Sequence, residues 1–219
     1  HPLVVERAFE ILETGEFEVS IPLKFRHRET IPGLRGTHDF IGLNYYTAHI
    51  ANFTYTSLGM DYEFREELPK SDIGWDIYPE GLYEILLGCA SRFPGRPVLV
   101  TENGLPDVGD GKRPGFIRDH VAAVDRARKE GVPVRGYFYR SLLDGFEWEY
   151  GYTARYGLYA VDFSTFTRQA RPSARSYADL IREHGGALAP ATTPRASDIP
   201  ATLPPPSQEV PCPPPLPRP

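Results

Sequence analysis

The chain has 219 residues, a formal net charge of −5 and 23 prolines, twelve of which lie between Pro190 and Pro219. The acidic balance argues against a nucleic-acid-binding protein, and no apolar run is long enough to predict a helix that crosses a membrane. We therefore expect neither a nucleic-acid partner nor a membrane partner. Because the N-terminus has neither an initiator methionine nor a signal-peptide pattern, we expect a fragment or a processed product.

Apolar periodicity and turn residues predict helices and strands that alternate along the chain. In chain order they are a helix over 4–13, a strand over 39–46, a helix over 79–93, a strand over 97–101, a helix over 116–130, a strand over 134–139 and a helix over 173–184. This order indicates an α/β fold, in which crossover helices join parallel strands. The run 98–100 is apolar throughout, which predicts a sheet covered on both faces.

The remaining parts of the body carry weaker signals. We expect residues 14–38 and 51–72 to be irregular, residues 156–161 to be extended, and Ser173 to cap the last helix. Cys89 lies in an apolar helical pattern, which predicts a buried thiol.

The composition changes near residue 187. Residues 1–186 read as one folded body, whereas residues 187–219 are mostly Pro, Ala, Thr and Ser. We expect the second segment to be a disordered, partly polyproline II tail. A flexible disordered linker or a mistranslated extension is the favoured interpretation, and the alternative is a ligand for proline-recognising domains, which the run over 213–218 resembles.

Polar and aromatic residues occur at the end of each predicted strand, where parallel α/β folds gather their functional groups. Asn44 and Tyr46 end the first strand, and Glu102 directly follows the second. A carboxylate held there suits a nucleophile or a general base. A solvated loop charge is the alternative.

Aromatic residues accompany a further carboxylate after the third strand. Glu147 and Trp148 are neighbours there, and Trp75 lies in an earlier aromatic segment. Sugars need hydrogen-bond acceptors for their hydroxyls and flat apolar faces for stacking, so these residues favour a carbohydrate ligand. Ordinary aromatic packing is the alternative. The histidines and cysteines show no metal spacing, and we expect no metal and no other cofactor.

Several motifs, taken together and in order, resemble those of glycoside hydrolase family 1, the β-glucosidase family. The stretches are DFIGLNYYT at 39–47, GWDIYPEGL at 74–82, VTENG at 100–104, SLLDGFEW at 141–148, GYTARYGL at 151–158 and RPSA at 171–174. The resemblance covers roughly residues 1–185. It implies a partial (β/α)8 barrel, of which the chain holds the last three β/α units.

The resemblance also implies roles for single residues. Glu102 corresponds to the catalytic nucleophile, and Tyr46 to the tyrosine that hydrogen-bonds it; Asn44 lies one pleat before Tyr46 on the same face. Glu147 and Trp148 correspond to the pair that binds the sugar hydroxyls. Trp75 corresponds to the aromatic platform on the leaving-group side.

The sequence departs from the family pattern in three ways. Arg140 stands where the family usually has a tryptophan that forms the floor of the sugar site, and an arginine there is able to pair with a carboxylate instead. Gly145 replaces an asparagine, which affects loop rigidity more than contacts. The first five strands, with the segment that supplies the general acid/base, have no counterpart in the chain. A retaining glycosidase needs two carboxyl groups about 5–5.5 Å apart, and Glu102 accounts for one.

The resemblance therefore implies a retaining β-glycosidase that hydrolyses terminal β-linked sugars, with a β-glucoside or an oligosaccharide as substrate. The missing amino-terminal half of the barrel would be its partner, and we expect no normal hydrolysis by the chain alone. The alternative is a non-catalytic module, derived from this fold, that binds a carbohydrate or a protein. The compartment stays open, because any signal peptide would lie upstream of His1, and a cytoplasmic location is favoured over secretion.

Overall fold

The structure is a computed structural model that describes residues 9–21, 25–54 and 59–184. Residues 187–219, predicted as a tail, and residues 4–8 of the predicted first helix lie outside the described residues. In chain order the elements are α1 (9–14), β1 (Glu16–Ile21), β2 (Phe25–Thr30), β3 (Ile41–Asn44), β4 (Ile50–Thr54), β5 (Gly59–Glu63), α2 (Pro79–Arg92), β6 (Val98–Asn103), α3 (Arg113–Lys129), β7 (Val134–Tyr139), β8 (Tyr159–Val161), β9 (Arg168–Ala170) and α4 (Pro172–Glu183).

Three parallel strands form the central sheet, in the order β3-β6-β7. Helices α2 and α3 make the two crossovers, which confirms the predicted alternation in this part of the chain. Each helix has a proline in its first turn, where a backbone N–H has no partner within the helix. The strand predicted over 97–101 continues to Asn103, so Glu102 lies inside β6 and does not follow it.

The hydrophobic core lies between this sheet and helices α2 and α3. Strand residues Ile41, Val98 and Val100 are buried there against helix residues that include Leu82, Leu86, Cys89, Val124 and Ala127. Cys89 is 1% exposed, which confirms the predicted buried thiol. Burial raises the pKa of this thiol to about 11, so it stays protonated at neutral pH.

The other face of the sheet is open within residues 9–21, 25–54 and 59–184, so the expectation of a sheet covered on both faces is wrong for the described chain. The residues of β3 are alternately buried and exposed, and Phe138 on β7 is 56% exposed. Leu99 in β6 is only partly buried. Apolar side chains on both faces of a strand favour burial of both faces, but in the described chain helices bury one face only.

Two segments expected to be irregular contain antiparallel hairpins. β1 pairs with β2 inside residues 14–38, and β4 pairs with β5 over residues 50–63, which overlap the segment 51–72. In the first hairpin, Arg26 donates to Glu18 across the strands at 3.1 Å. Charged residues at alternate positions stabilise this ribbon through cross-strand pairs. In β1 they alternate with Phe17, Val19 and Ile21, a strand pattern that the sequence analysis did not use. A third hairpin joins the extended segment β8 to β9, which the sequence did not indicate.

The start of α4 corrects the expectation that Ser173 is its cap. The helix begins at Pro172, and its cap residue is Arg171. Ser173 is buried in the first turn, and its backbone N–H donates to the Asp110 carboxylate at 2.8 Å. An aspartate that is remote in sequence therefore satisfies the helix N-terminus, which no local motif predicts. No helix within the described ranges is long and apolar enough to span a membrane.

Candidate active site

Glu102 and Tyr46 meet at the carboxyl edge of the central sheet. β6 carries Glu102, and Tyr46 follows β3 by two residues. The Tyr46 hydroxyl donates to Glu102 Oε2 at 2.5 Å, and the Tyr45 backbone N–H donates to the Glu102 carbonyl at 2.8 Å. Parallel pairing of β3 with β6 therefore positions the carboxylate and its tyrosine together.

A second layer of hydrogen bonds fixes the ends of all three strands. Asn103 Nδ2 donates to the Tyr45 carbonyl at 2.7 Å, and the Tyr137 hydroxyl donates to Asn103 Oδ1 at 2.6 Å. The Arg140 N–H donates to the Asn103 carbonyl at 2.9 Å. A Cβ on Gly104 would lie 1.8 Å from the Arg140 carbonyl oxygen, so only glycine permits this approach between β6 and the end of β7.

The environment of Tyr46 keeps its hydroxyl protonated. Burial raises its pKa well above the ordinary value, and the hydrogen bond to the Glu102 carboxylate raises it further, although the Arg140 charge acts in the opposite direction. Tyr46 is therefore a hydrogen-bond donor to Glu102 across the physiological pH range. The pair presents a carboxylate held in one orientation by a neutral donor.

Arg140 contacts the second carboxylate of the site. Its Nη2 donates to both carboxylate oxygens of Glu147, at 2.8 and 2.9 Å, and its guanidinium carbon lies 5.0 Å from the centre of the Tyr156 ring. Burial alone would lower the pKa of Arg140, but the hydrogen bond to Glu147 and the charges of Glu147 and Glu102 raise it. Glu147, which we expected to be available for sugar hydroxyls, is thus paired with the arginine that replaces the family's tryptophan.

The three other predicted site residues differ in how close they lie to this pair. The Trp75 ring is 6.1 Å from the Tyr46 ring in an edge-to-face contact, so it belongs to the same site. Asn44 ends β3, and its Oδ1 accepts a hydrogen bond from the Thr101 hydroxyl at 2.7 Å. Trp148 is 89% exposed, whereas its neighbour Glu147 is 9% exposed. The structure therefore does not bring Trp148 together with Glu147 as one binding pair.

Tyr156 is a site residue that the sequence analysis did not single out. Its ring lies 6.2 Å from that of Tyr46 and beneath the Arg140 guanidinium. The only sequence signal was its membership of the GYTARYGL motif, in which Tyr152 and Tyr156 look alike. Burial separates them, because Tyr156 is buried and Tyr152 is exposed.

The loop that carries Glu147 is attached to the body through Asp144. Arg171 donates to both oxygens of the Asp144 carboxylate at 3.0 and 2.9 Å, and the Gly157 N–H donates to Oδ1 at 2.9 Å. Burial would raise the pKa of Asp144, but these hydrogen bonds and the Arg171 charge outweigh it and hold the pKa below its ordinary value. No cluster of three metal-ligating side chains occurs within the ranges that the structure describes.

A parallel sheet linked by crossover helices, with a carboxylate and aromatic rings at its carboxyl edge, is the arrangement of an α/β-barrel enzyme. The sequence profile of glycosyl hydrolase family 1 matches residues 8–186. The chain therefore belongs to glycosyl hydrolase family 1, as the motifs implied.

Individual relatives agree with this assignment. The chain is 42% identical over 163 residues to a beta-galactosidase of Sulfolobus acidocaldarius, covering 69% of this chain and 33% of the relative. It is 36% identical over 156 residues to beta-glucosidase A of Thermotoga maritima, and the match covers 67% of this chain and 35% of the relative. The chain thus spans about a third of the length of these curated relatives.

Solved structures show the same partial match. A beta-glucosidase from Thermotoga maritima in complex with azafagomine superposes with a TM-score of 0.66 at 35% identity, covering 69% of this chain and 36% of that one. A beta-glycosidase from Pyrococcus horikoshii gives a TM-score of 0.74 at 34% identity, and the match covers 83% of this chain and 41% of that one. The described fold is therefore part of the fold of these enzymes.

Proposed function

We propose that this chain is the carboxyl-terminal part of a retaining β-glycosidase and forms the last three β/α units of its (β/α)8 barrel. The observation that carries the proposal is the 2.5 Å hydrogen bond from Tyr46 to Glu102 at the carboxyl edge of the sheet. Its support is the family membership and relatives that are named beta-glucosidase and beta-galactosidase. We keep the division into a body over 1–186 and a tail over 187–219 as part of this proposal.

In the proposed reaction, a Glu102 carboxylate oxygen attacks the anomeric carbon of a β-linked sugar. The bond from that carbon to the leaving oxygen breaks, and a glycosyl ester forms on Glu102. Water then cleaves the ester and restores the carboxylate. Tyr46 holds Glu102 in the attacking orientation, and Trp75 offers a flat face to the leaving group.

The reaction needs a second carboxyl group, which protonates the leaving oxygen and later activates water. Glu147 does not provide this group in the proposal, because Arg140 is hydrogen-bonded to both oxygens of Glu147. We assign the acid/base to the remaining two-thirds of the protein, which is the barrel partner of this chain. The proposed substrate is a β-glucoside or an oligosaccharide. Asn44 is proposed to contact its glycosyl unit, and Glu147 and Trp148, which the described chain does not bring together, are proposed to contact it when the rest of the barrel is present. Solved structures of the beta-glucosidase from Thermotoga maritima hold azafagomine, deoxynojirimycin or glucoimidazole, which supports a sugar-like ligand.

The test uses a substrate that needs no general acid. A dinitrophenyl β-glucoside releases a stable phenolate, so the purified chain should release up to one equivalent of dinitrophenolate and then stop, because no base activates water. Azide needs no base, and it should release the trapped sugar as a β-glycosyl azide. An alkyl β-glucoside should not react. Intact mass should show one glycosyl unit on the chain, located to Glu102 by peptide mapping.

Two variants make this test specific. Glu102→Gln should abolish the burst and the mass increase. Glu149→Gln is the matched control, because it removes an exposed carboxylate two residues from Glu147 and should leave the burst unchanged. A burst that survives in Glu102→Gln, or no burst with the unsubstituted chain, would contradict the proposal.

A second candidate function is a non-catalytic module that binds a carbohydrate or a protein. The Arg140–Glu147 pair favours it, because it occupies a carboxylate that a family enzyme would direct at its substrate. A module of this kind would bind glucose or a partner without any burst. The burst experiment therefore distinguishes the two functions.

A further inference from the structure

Arg140 uses only part of its hydrogen-bonding capacity. Nη2 makes both bonds to Glu147, and the backbone N–H is bonded to Asn103. Nε and Nη1 donate to no atom within residues 9–21, 25–54 and 59–184, and the side chain is 31% exposed. A guanidinium carries five N–H donors, so three remain at the opening of the site.

The position of Arg140 also changes the charge of the site. The ionised groups that act on Tyr46 and Tyr156 are Arg140 with Glu102 and Glu147. Two carboxylates alone would give the opening a charge of about −2 and would attract cations, whereas the arginine brings it to about −1. Because the guanidinium is partly buried and stacked on Tyr156, solvent and salt screen it less than a surface charge.

We propose that Arg140 is a specificity-determining residue that selects the glycosyl ligand by charge, weakening the binding of cationic sugar analogues and strengthening that of anionic sugars relative to a neutral sugar of the same size. The inference rests on the proposed function, since it assumes that a glycosyl unit binds beside Glu102. An acidic substituent, such as the carboxylate of a uronic acid, would accept hydrogen bonds from these three N–H donors.

The experiment compares three ligands of similar shape: deoxynojirimycin, which is cationic near neutral pH, glucose, which is neutral, and glucuronate, which is anionic. Binding of each to the full chain is measured by calorimetry. In Arg140→Gln we expect the Kd of deoxynojirimycin to fall and that of glucuronate to rise, each by roughly three- to tenfold, with little change for glucose. Added salt should reduce these differences.

Three further variants guard against a purely structural effect. Arg140→Lys keeps the charge and should retain the order of affinities of the unsubstituted chain. Arg135→Gln, which removes an exposed charge at the opposite end of β7, should change none of the three affinities. Glu147→Gln leaves Arg140 without its partner and should shift the series in the opposite direction to Arg140→Gln, so the inference stays testable if Arg140→Gln does not fold.

The outcomes separate this inference from the proposed function. If Arg140→Gln changes all three affinities by one common factor, Arg140 has only a structural role and the inference is overturned. The same holds if the dinitrophenolate burst occurs but the charge series does not respond to either variant. If the unsubstituted chain binds none of the ligands and shows no burst, the sugar site itself is refuted, and the inference with it.

Discussion

Tyr45 and Tyr46 are adjacent in sequence, and their hydroxyl groups have different acceptors. The Tyr45 hydroxyl donates to the Tyr78 carbonyl at 2.6 Å, inside the contact between β3 and the start of α2. The Tyr46 hydroxyl donates to the Glu102 carboxylate at the open edge of the sheet. Because neighbouring side chains of a strand point to opposite faces, Tyr45 stabilises the contact between β3 and α2, whereas Tyr46 reaches the candidate nucleophile.

Replacement of Tyr46 by Phe should slow the dinitrophenolate burst without unfolding the chain. A hydrogen bond to a charged group contributes about 1.5–3 kcal/mol, so we expect a roughly ten- to hundredfold slower burst, measured by stopped-flow absorbance. Tyr45→Phe is the matched control: it should lower the free energy of unfolding by about 1 kcal/mol and leave the burst rate unchanged. Equal effects of the two variants on the burst would contradict the role of Tyr46.

His120 gives the fold a defined sensitivity to acid. It is fully buried, its Nδ1 is 2.8 Å from the Phe116 carbonyl, and burial lowers its pKa from 6.5 to about 4. The unfolded chain therefore binds a proton at this residue between pH 6.5 and 4, whereas the folded chain does not. The free energy of unfolding should fall by about 3 kcal/mol as the pH is lowered through this window.

The measurement is denaturant unfolding at several pH values from 7 to 4. His120→Gln, which places an uncharged side-chain amide in this position and does not titrate, should lose this component of the pH dependence. His184→Gln is the control, because that ring is partly exposed and its pKa is raised through its hydrogen bonds to Leu180 and Asp125. If the free energy of unfolding changes equally with pH between 6.5 and 4 in the parent and in His120→Gln, the burial of a neutral His120 ring does not cause the pH dependence.

At the scale of elements, the loop between β7 and β8 depends on one buried carboxylate. Asp144 joins the loop to α4 through Arg171 and to the strand that follows through Gly157. The loop also carries Glu147, so the position of the second site carboxylate depends on a contact between elements that are distant in sequence. The β1–β2 hairpin contributes less to the site, since its strand β2 is exposed throughout.

Asp144→Asn should destabilise the chain by roughly 3 kcal/mol at pH 7, because it leaves Arg171 without its anionic partner. The folded pKa of Asp144 lies below its ordinary value, so its contribution is present above about pH 4 and is lost as the pH falls through the folded pKa. Urea unfolding at pH 7 and pH 3 should therefore show a larger difference between variant and parent at pH 7 than at pH 3. Asp179→Asn removes an exposed carboxylate and should cost less than about 0.5 kcal/mol at both.

At the scale of the whole molecule, the central sheet has two edges and one face without cover in the described chain. β3 and β7 each pair on one side only, and Phe138 projects from the uncovered face. Unpaired strand edges and exposed apolar side chains favour association between chains. In the proposed complete barrel, the remaining strands would cover these same groups.

The isolated chain should therefore self-associate in the micromolar range, as measured by sedimentation velocity over a series of concentrations. Phe138→Lys should shift the distribution towards monomer, because it places a charge on the uncovered face. Val108→Lys is the control, since Val108 is 59% exposed on a loop away from the sheet and its replacement should change little. A chain that stays monomeric at all concentrations would contradict this account of the open sheet.

Much of the body could be predicted from the sequence, because its signals are local. Apolar periodicity and turn residues predicted α2 and the β7 strand at nearly their observed bounds, and the alternation of helices and strands predicted that the three strands run parallel. The hairpins were missed because each is short: the alternation of Phe17, Val19 and Ile21 with polar residues in β1 covers only six residues. The start of α4 was misjudged because its N-terminus is satisfied by Asp110, which lies more than sixty residues away in the chain.

The family could be identified from the motifs alone, because they are short, ordered and specific, and the same motifs selected Glu102, Tyr46 and Glu147 as candidates. Which of the candidates lie in contact depends on the fold: Tyr46 donates a hydrogen bond to Glu102, Trp75 contacts Tyr46, and Trp148 faces solvent. It also decided what Arg140 does, since the sequence left its partner open and the fold places Glu147 against it. The physical reason is that strand and helix signals act over a few residues, whereas charge pairing depends on distances that the packing of the three strands and their loops sets.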